Sequence, residues 1–85
     1  MTRIIDRFII LARVENVKMP WLEKQTGIIQ KRWNNVKAEN SHMRAVEVEA
    51  LIKVWPEYAY WIATGKELPE CGQISPLTKA AKESS

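Results

Sequence analysis

Apolar residues return at helical intervals through most of this chain. Ile5, Phe8, Ile9 and Ala12 fall at i, i+3, i+4 and i+7, the spacing of one buried helix face. The spacing predicts a first helix over about residues 3–14, with Thr2 as its N-cap. Asn16 and Val17 break the pattern. Pro20 suits the first turn of a second helix, where a missing N–H costs nothing. Leu22 is its inward residue, with Trp21 partly covered. Gly27 can take the left-handed conformation that ends a helix and turns the chain. A third helix is expected over about residues 29–37, with Ile28, Trp33 and Val36 facing the core.

The same periodicity continues beyond a polar loop, Glu39-Asn40-Ser41-His42, in which Asn40 or Ser41 can cap a fourth helix. That helix carries Val46, Ala50, Leu51 and Val54 on one side, widened by Val48, Ile52 and Trp55. Pro56 stops it and opens a fifth helix, in which Tyr58, Trp61 and Ile62 point inward and Gly65 makes the exit. Pro69, Cys71-Gly72 and Ser75-Pro76 then interrupt the pattern. Thr78–Lys82 offers at most a weak helical turn. The expectation is an all-α fold: a compact five-helix domain over residues 1–66 and an irregular, partly flexible arm over residues 67–85.

Size and composition exclude several classes. An 85-residue chain is one small domain with a modest core. Cys71 is the only cysteine, so no internal disulfide and no cysteine-rich zinc site is possible. The longest apolar run, Phe8 to Ala12, is far too short to span a bilayer. The charged, amphipathic start does not resemble a signal peptide, and a bacterial cytoplasm is the expected location. Catalysis finds no support: His42 has no nucleophile or metal-ligand set around it, and Glu47 and Glu49 diverge on a helix. No enzyme activity, cofactor, metal or small-molecule substrate is expected.

The net charge of +3 is mild but unevenly spread. Residues 30–44 carry Lys31, Arg32, Lys37 and Arg44 against Glu39 alone, whereas residues 45–65 carry Lys53 against Glu47, Glu49 and Glu57. The positive charge therefore gathers at the third helix and the loop after it. There Gln30, Lys31, Arg32, Asn34 and Asn35 surround the buried pair Trp33 and Val36. Amides and cations on the exposed side of a helix are the donors that suit base edges and phosphates. Trp21, Trp33, Trp55 and Trp61 invite a reading as stacking platforms for single strands, but their helical spacing favours core packing.

Residues 17–37 resemble the helix-turn-helix of lambda-repressor-like, Cro/CI-type phage and prophage regulators. Val17, Leu22, Gly27, Ile28, Trp33 and Val36 stand in the order and spacing of that motif. Residues 54–65, Val-Trp-Pro-Glu-Tyr-Ala-Tyr-Trp-Ile-Ala-Thr-Gly, resemble the ending common in phage CI-type DNA-binding domains. The resemblance spans about residues 3–66. Within it, Glu23 replaces a usual alanine, Thr26 a usual aliphatic and Ile29 a usual serine or threonine cap, and Lys18 or Met19 is a poor cap for the second helix.

The resemblance implies a sequence-specific, double-stranded-DNA-binding transcriptional regulator, most simply a repressor. It would be a homodimer on a pseudopalindromic operator, with the third helix in the major groove. Gln30, Lys31 and Asn34 take the base-reading positions, and Arg32 and Asn35 reach a base or phosphate. Lys18 and Lys24 on one edge, and Lys37, Asn40, Ser41, His42 and Arg44 on the other, are the expected phosphate contacts. Two alternatives accompany this expectation. Glu23 and Ile29 favour a helix-turn-helix-shaped module that grips a host or phage protein. An autoregulatory antitoxin would share the DNA chemistry and add a toxin partner.

Overall fold

The computed structural model describes residues 3–84; Thr2, the expected first cap, lies outside them. The first helix, α1 (Ile4–Val14), is capped instead by Arg3, whose backbone N–H and side chain both bind Asp6. Its buried face holds Ile5, Phe8, Leu11 and Ala12, and Ile9 is only half-buried. Arg7 also faces inward, its Nε donating to the Ile62 carbonyl at 2.8 Å, so a buried cation is satisfied by a helix end.

Asn16 takes φ 53°, and Val17 N–H donates to the Ala12 carbonyl at 2.8 Å, closing α1 and turning the chain. Then follow α2 (Met19–Thr26) and α3 (Gln30–Lys37), separated by Gly27 at φ 75°. Lys18 occupies the N-cap of α2 without a side-chain bond, and Pro20 sits in the first turn as expected. The helix α4 (Ala45–Val54) begins later than a cap at Asn40 or Ser41 would set it. Its N-cap is Arg44 rather than Asn40 or Ser41, because Glu47 reaches back to the Arg44 N–H at 2.8 Å. That arrangement buries Glu47 completely and turns Val46 outward, 48% exposed.

A 3-10 turn over Pro56–Tyr58 leads into α5 (Ala59–Thr64), which ends at Gly65 with φ 78°. Trp33, Tyr58, Leu22, Val36, Leu51 and Ile62 have no measurable exposure and form the centre of the core with Phe8 and Leu11. The Phe8 and Trp33 rings lie 5.3 Å apart, tilted by 33°, a favourable aromatic geometry. α1 and α3 are thereby locked together by the most voluminous side chains in the interior.

The segment expected to be irregular is organised. Residues Leu68 and Gln73 form an isolated antiparallel bridge around a second 3-10 turn, Pro69–Cys71. A sixth helix, α6 (Pro76–Ser84), lies against α1. Three polar residues fasten it. Gln73 accepts from Tyr60 N–H at 2.9 Å and donates to the Pro56 carbonyl at 3.1 Å. Ser75 Oγ accepts from Thr78 N–H at 3.2 Å, an N-cap bond, while Glu67 accepts from Ser75 N–H and Thr78 Oγ1 at 3.0 Å each. Lys79 pairs with Glu57 at 3.3 Å. The described residues thus form six α-helices and no β-strand. None of these helices is long and apolar enough to cross a membrane.

Candidate nucleic-acid interface

The α2–α3 turn is held by two of the residues that depart from the resembled motif. Thr26 Oγ1 donates to the Leu22 carbonyl at 2.7 Å and accepts from Ile28 N–H and Trp33 Nε1 at 3.2 Å each. One hydroxyl therefore uses its donor and both acceptor sites to satisfy a helix end, a turn amide and a buried indole. Glu23 Oε1 accepts the Gln30 N–H, the first amide of α3. Ile29, the N-cap of α3, makes no side-chain cap bond. Glu23 thus satisfies from α2 one free amide of the α3 terminus, whereas a serine or threonine at position 29 would reach the amide of Lys31 or Arg32.

Around α3 the side chains sort into three strips. Trp33 and Val36 are buried. Lys31 and Asn34 are exposed, with Asn35 half-buried beside them. On the flank toward α1 and the start of α2, Gln30, Asn34 and Lys37 line an open groove of about 560 Å³. Arg13, Asn16 and Lys18 form its opposite wall, Pro20 stands at the α2 terminus, and Ile9, Ala12 and Val17 contribute its apolar part. Met19, whose N–H has no partner within the helix, lines this groove at the α2 terminus. Arg13, Lys18, Lys31 and Lys37 make no ion pair with any described residue, so the groove and ridge carry uncompensated positive charge. Lys24, also exposed on α2, does not line the groove.

The opposite flank of α3 is different. Arg32 Nη2 pairs with Glu47 at 2.9 Å and also donates to the His42 carbonyl. Its side chain is only 19% exposed. Arg44 pairs with the other Glu47 oxygen at 2.9 Å. Burial pushes the Glu47 carboxyl up, but hydrogen bonds from Arg44 and Arg32, and the charge of Arg32, outweigh it and hold the group below its ordinary value. This triad ties α3, the following loop and α4 together. Asn40, Ser41 and His42 sit on that loop near Arg3 and Ile5. Arg3 pairs across to Glu39, which takes φ 62°.

Thus Lys18, Gln30, Asn34 and Lys37 meet in one groove, Lys31 stands on the adjoining ridge, and Asn40, Ser41, His42 and Arg44 occupy a separate edge. Arg32 joins neither the ridge nor the groove, being committed to Glu47. Arg13 and Asn16 were not singled out in the sequence. Periodicity places Arg13 in the last turn of α1, where a cation suits the helix dipole, but does not say which helix it will face. No group of three or more histidine, cysteine, aspartate or glutamate residues among the described residues could hold a metal ion.

Among solved structures, the chain is similar to Pf6r from the filamentous phage Pf6 of Pseudomonas aeruginosa PA01. The two are 28% identical, with a TM-score of 0.84 over 98% of this chain and 96% of that one. The likeness therefore extends past the helix-turn-helix through α6. No protein-family profile matches the chain, and no curated protein matches it.

Proposed function

We propose that this chain is a phage-type transcriptional regulator of the Cro/CI kind, binding double-stranded operator DNA through α3. The observation that carries the reading is the exposed Lys31–Asn34 ridge beside a groove walled by Arg13, Lys18 and Lys37. An α-helix fits the major groove, and its first turns lie nearest the base edges. In that pose Asn34 and Gln30 can bond adenine N6 and N7, and Lys31 can donate to guanine O6 and N7. A phosphate enters the flanking groove, met by Lys18, Lys37, Arg13 and the Met19 amide. Asn40, Ser41 and His42 serve a second phosphate from the loop.

One domain covers a half-site, so the working form is a homodimer on a pseudopalindrome with half-sites about one helical turn apart. Repression follows where that site overlaps a promoter. The similarity to a filamentous-phage protein supports a phage origin. Of the two residues that favour a protein-binding module, Glu23 has a local role in holding the α3 terminus, while Ile29 stays exposed.

Selection of bound duplexes from a random pool by the full chain tests the proposal. A shared, pseudopalindromic sequence is expected, with Lys31→Ala and Asn34→Ala each relaxing preference at one base pair. Failure to retain any duplex at moderate salt would sink the reading.

A further inference from the structure

Resting on the DNA-reading face proposed above, we infer that Ile29 recognises a thymine C5-methyl group at the leading end of α3. Ile29 is 61% exposed, whereas its neighbour Ile28 packs against the core. Its backbone is extended, with φ −60° and ψ 144°, and it immediately precedes Gln30. An isoleucine here forgoes side-chain capping and leaves apolar surface in water. Glu23 offsets part of the first cost by accepting the Gln30 N–H, another free amide of the same helix end. The helix end is thereby held from α2, and an exposed aliphatic residue directly precedes the side chains proposed to meet base edges.

In the major groove, the apolar group presented by a base is the thymine methyl. Cytosine offers no methyl and carries an N4 amine, which an aliphatic neighbour would desolvate without a hydrogen bond. The expected preference at the base pair facing Ile29 is therefore thymine over cytosine. Glu23 and Ile29 act as a pair: one carboxylate holds the helix end so that one aliphatic side chain can read.

The test uses the full chain and a duplex that it selects from random DNA. Each thymine is replaced in turn by deoxyuridine, which removes the methyl and nothing else. With the wild-type chain, one position per half-site should lose about fourfold in affinity, the worth of one buried methyl. With Ile29→Ser that substitution should change nothing, and with Ile29→Val most of the loss should remain. Serine is a good cap and position 29 is exposed, so the variant is expected to fold, which its melting curve checks. If the wild type binds its selected duplex but no deoxyuridine weakens it, the inference is overturned. It is also overturned if Ile29→Ser is equally sensitive, or if the selected duplexes share no sequence. A pool yielding no bound duplex instead overturns the DNA reading itself.

Discussion

The two flanks of α3 carry the same kinds of residue to opposite ends. Toward α4, Arg32 and Arg44 converge on a fully buried Glu47, and their charge is spent inside the molecule. Toward α1 and α2, Arg13, Lys18 and Lys37 line an open groove with no acidic partner among the described residues. Lys31 and Arg32 are adjacent in sequence, yet one stands on the ridge and the other is 19% exposed in a salt bridge. A cation on α3 is thus free to meet an outside anion only where the interior supplies no carboxylate. The α4 flank holds the helix still; the α2 flank leaves charge to be neutralised from outside.

The largest expected effect removes the floor common to both flanks. Trp33→Ala empties the centre of the core beside Phe8 and should cost about 3–5 kcal/mol, enough to unfold much of a domain this small. Thermal or urea unfolding measures it. Glu47→Ala should cost about 3 kcal/mol, near the lower end for removing one partner of a buried ion pair, because Arg44 still reaches water. Arg32→Ala should likewise lower the melting temperature.

Next in size come the residues proposed to read bases. Lys31→Ala and Asn34→Ala should each weaken binding to the selected duplex by about 1–3 kcal/mol without shifting the melting curve, because both side chains are exposed. Smaller still is the cap: Glu23→Ala should cost about 1 kcal/mol of stability. Ile29→Ser made on the Glu23→Ala background should recover part of it, since serine then accepts from the Lys31 or Arg32 N–H, a different free amide of the same helix end.

The pH dependence separates the flanks again. The Glu47 carboxyl has its affinity for protons lowered in the folded chain, so the unfolded chain takes up the proton first as pH falls. The stabilisation is therefore complete above the ordinary glutamate range near about 4.3 and is lost progressively below it. Unfolding midpoints followed downward from about pH 6 should show this loss, and Glu47→Gln should reduce it.

The order and inward faces of α1 to α5 were legible because long apolar residues repeat at the helical period. Leu22, Trp33, Val36, Leu51, Tyr58 and Ile62 are all buried as that spacing predicts. Glu47 was not legible: hydropathy assigns a carboxylate to solvent, and only the converging guanidinium groups of Arg32 and Arg44 make its burial tolerable. Its inward turn is also what rotates Val46 to the surface. The α6 segment was missed because Gln73, Ser75 and Glu67 secure it through hydrogen bonds, which carry no periodic signal. On the candidate interface, Lys18, Gln30, Asn34 and Lys37 were recognisable from motif position. Arg13 required knowing how α1 packs beside α3.

The most direct measurement is the salt dependence of binding to the selected duplex. Removing Lys18 and Lys37 together should flatten the slope of log affinity against log salt by about 1.8, two phosphate contacts at about 0.9 each. Arg32→Ala, assayed well below its melting temperature, should leave that slope where the wild type has it. If the Lys18/Lys37 double variant keeps the wild-type slope while Arg32→Ala flattens it, the assignment of the two flanks is wrong.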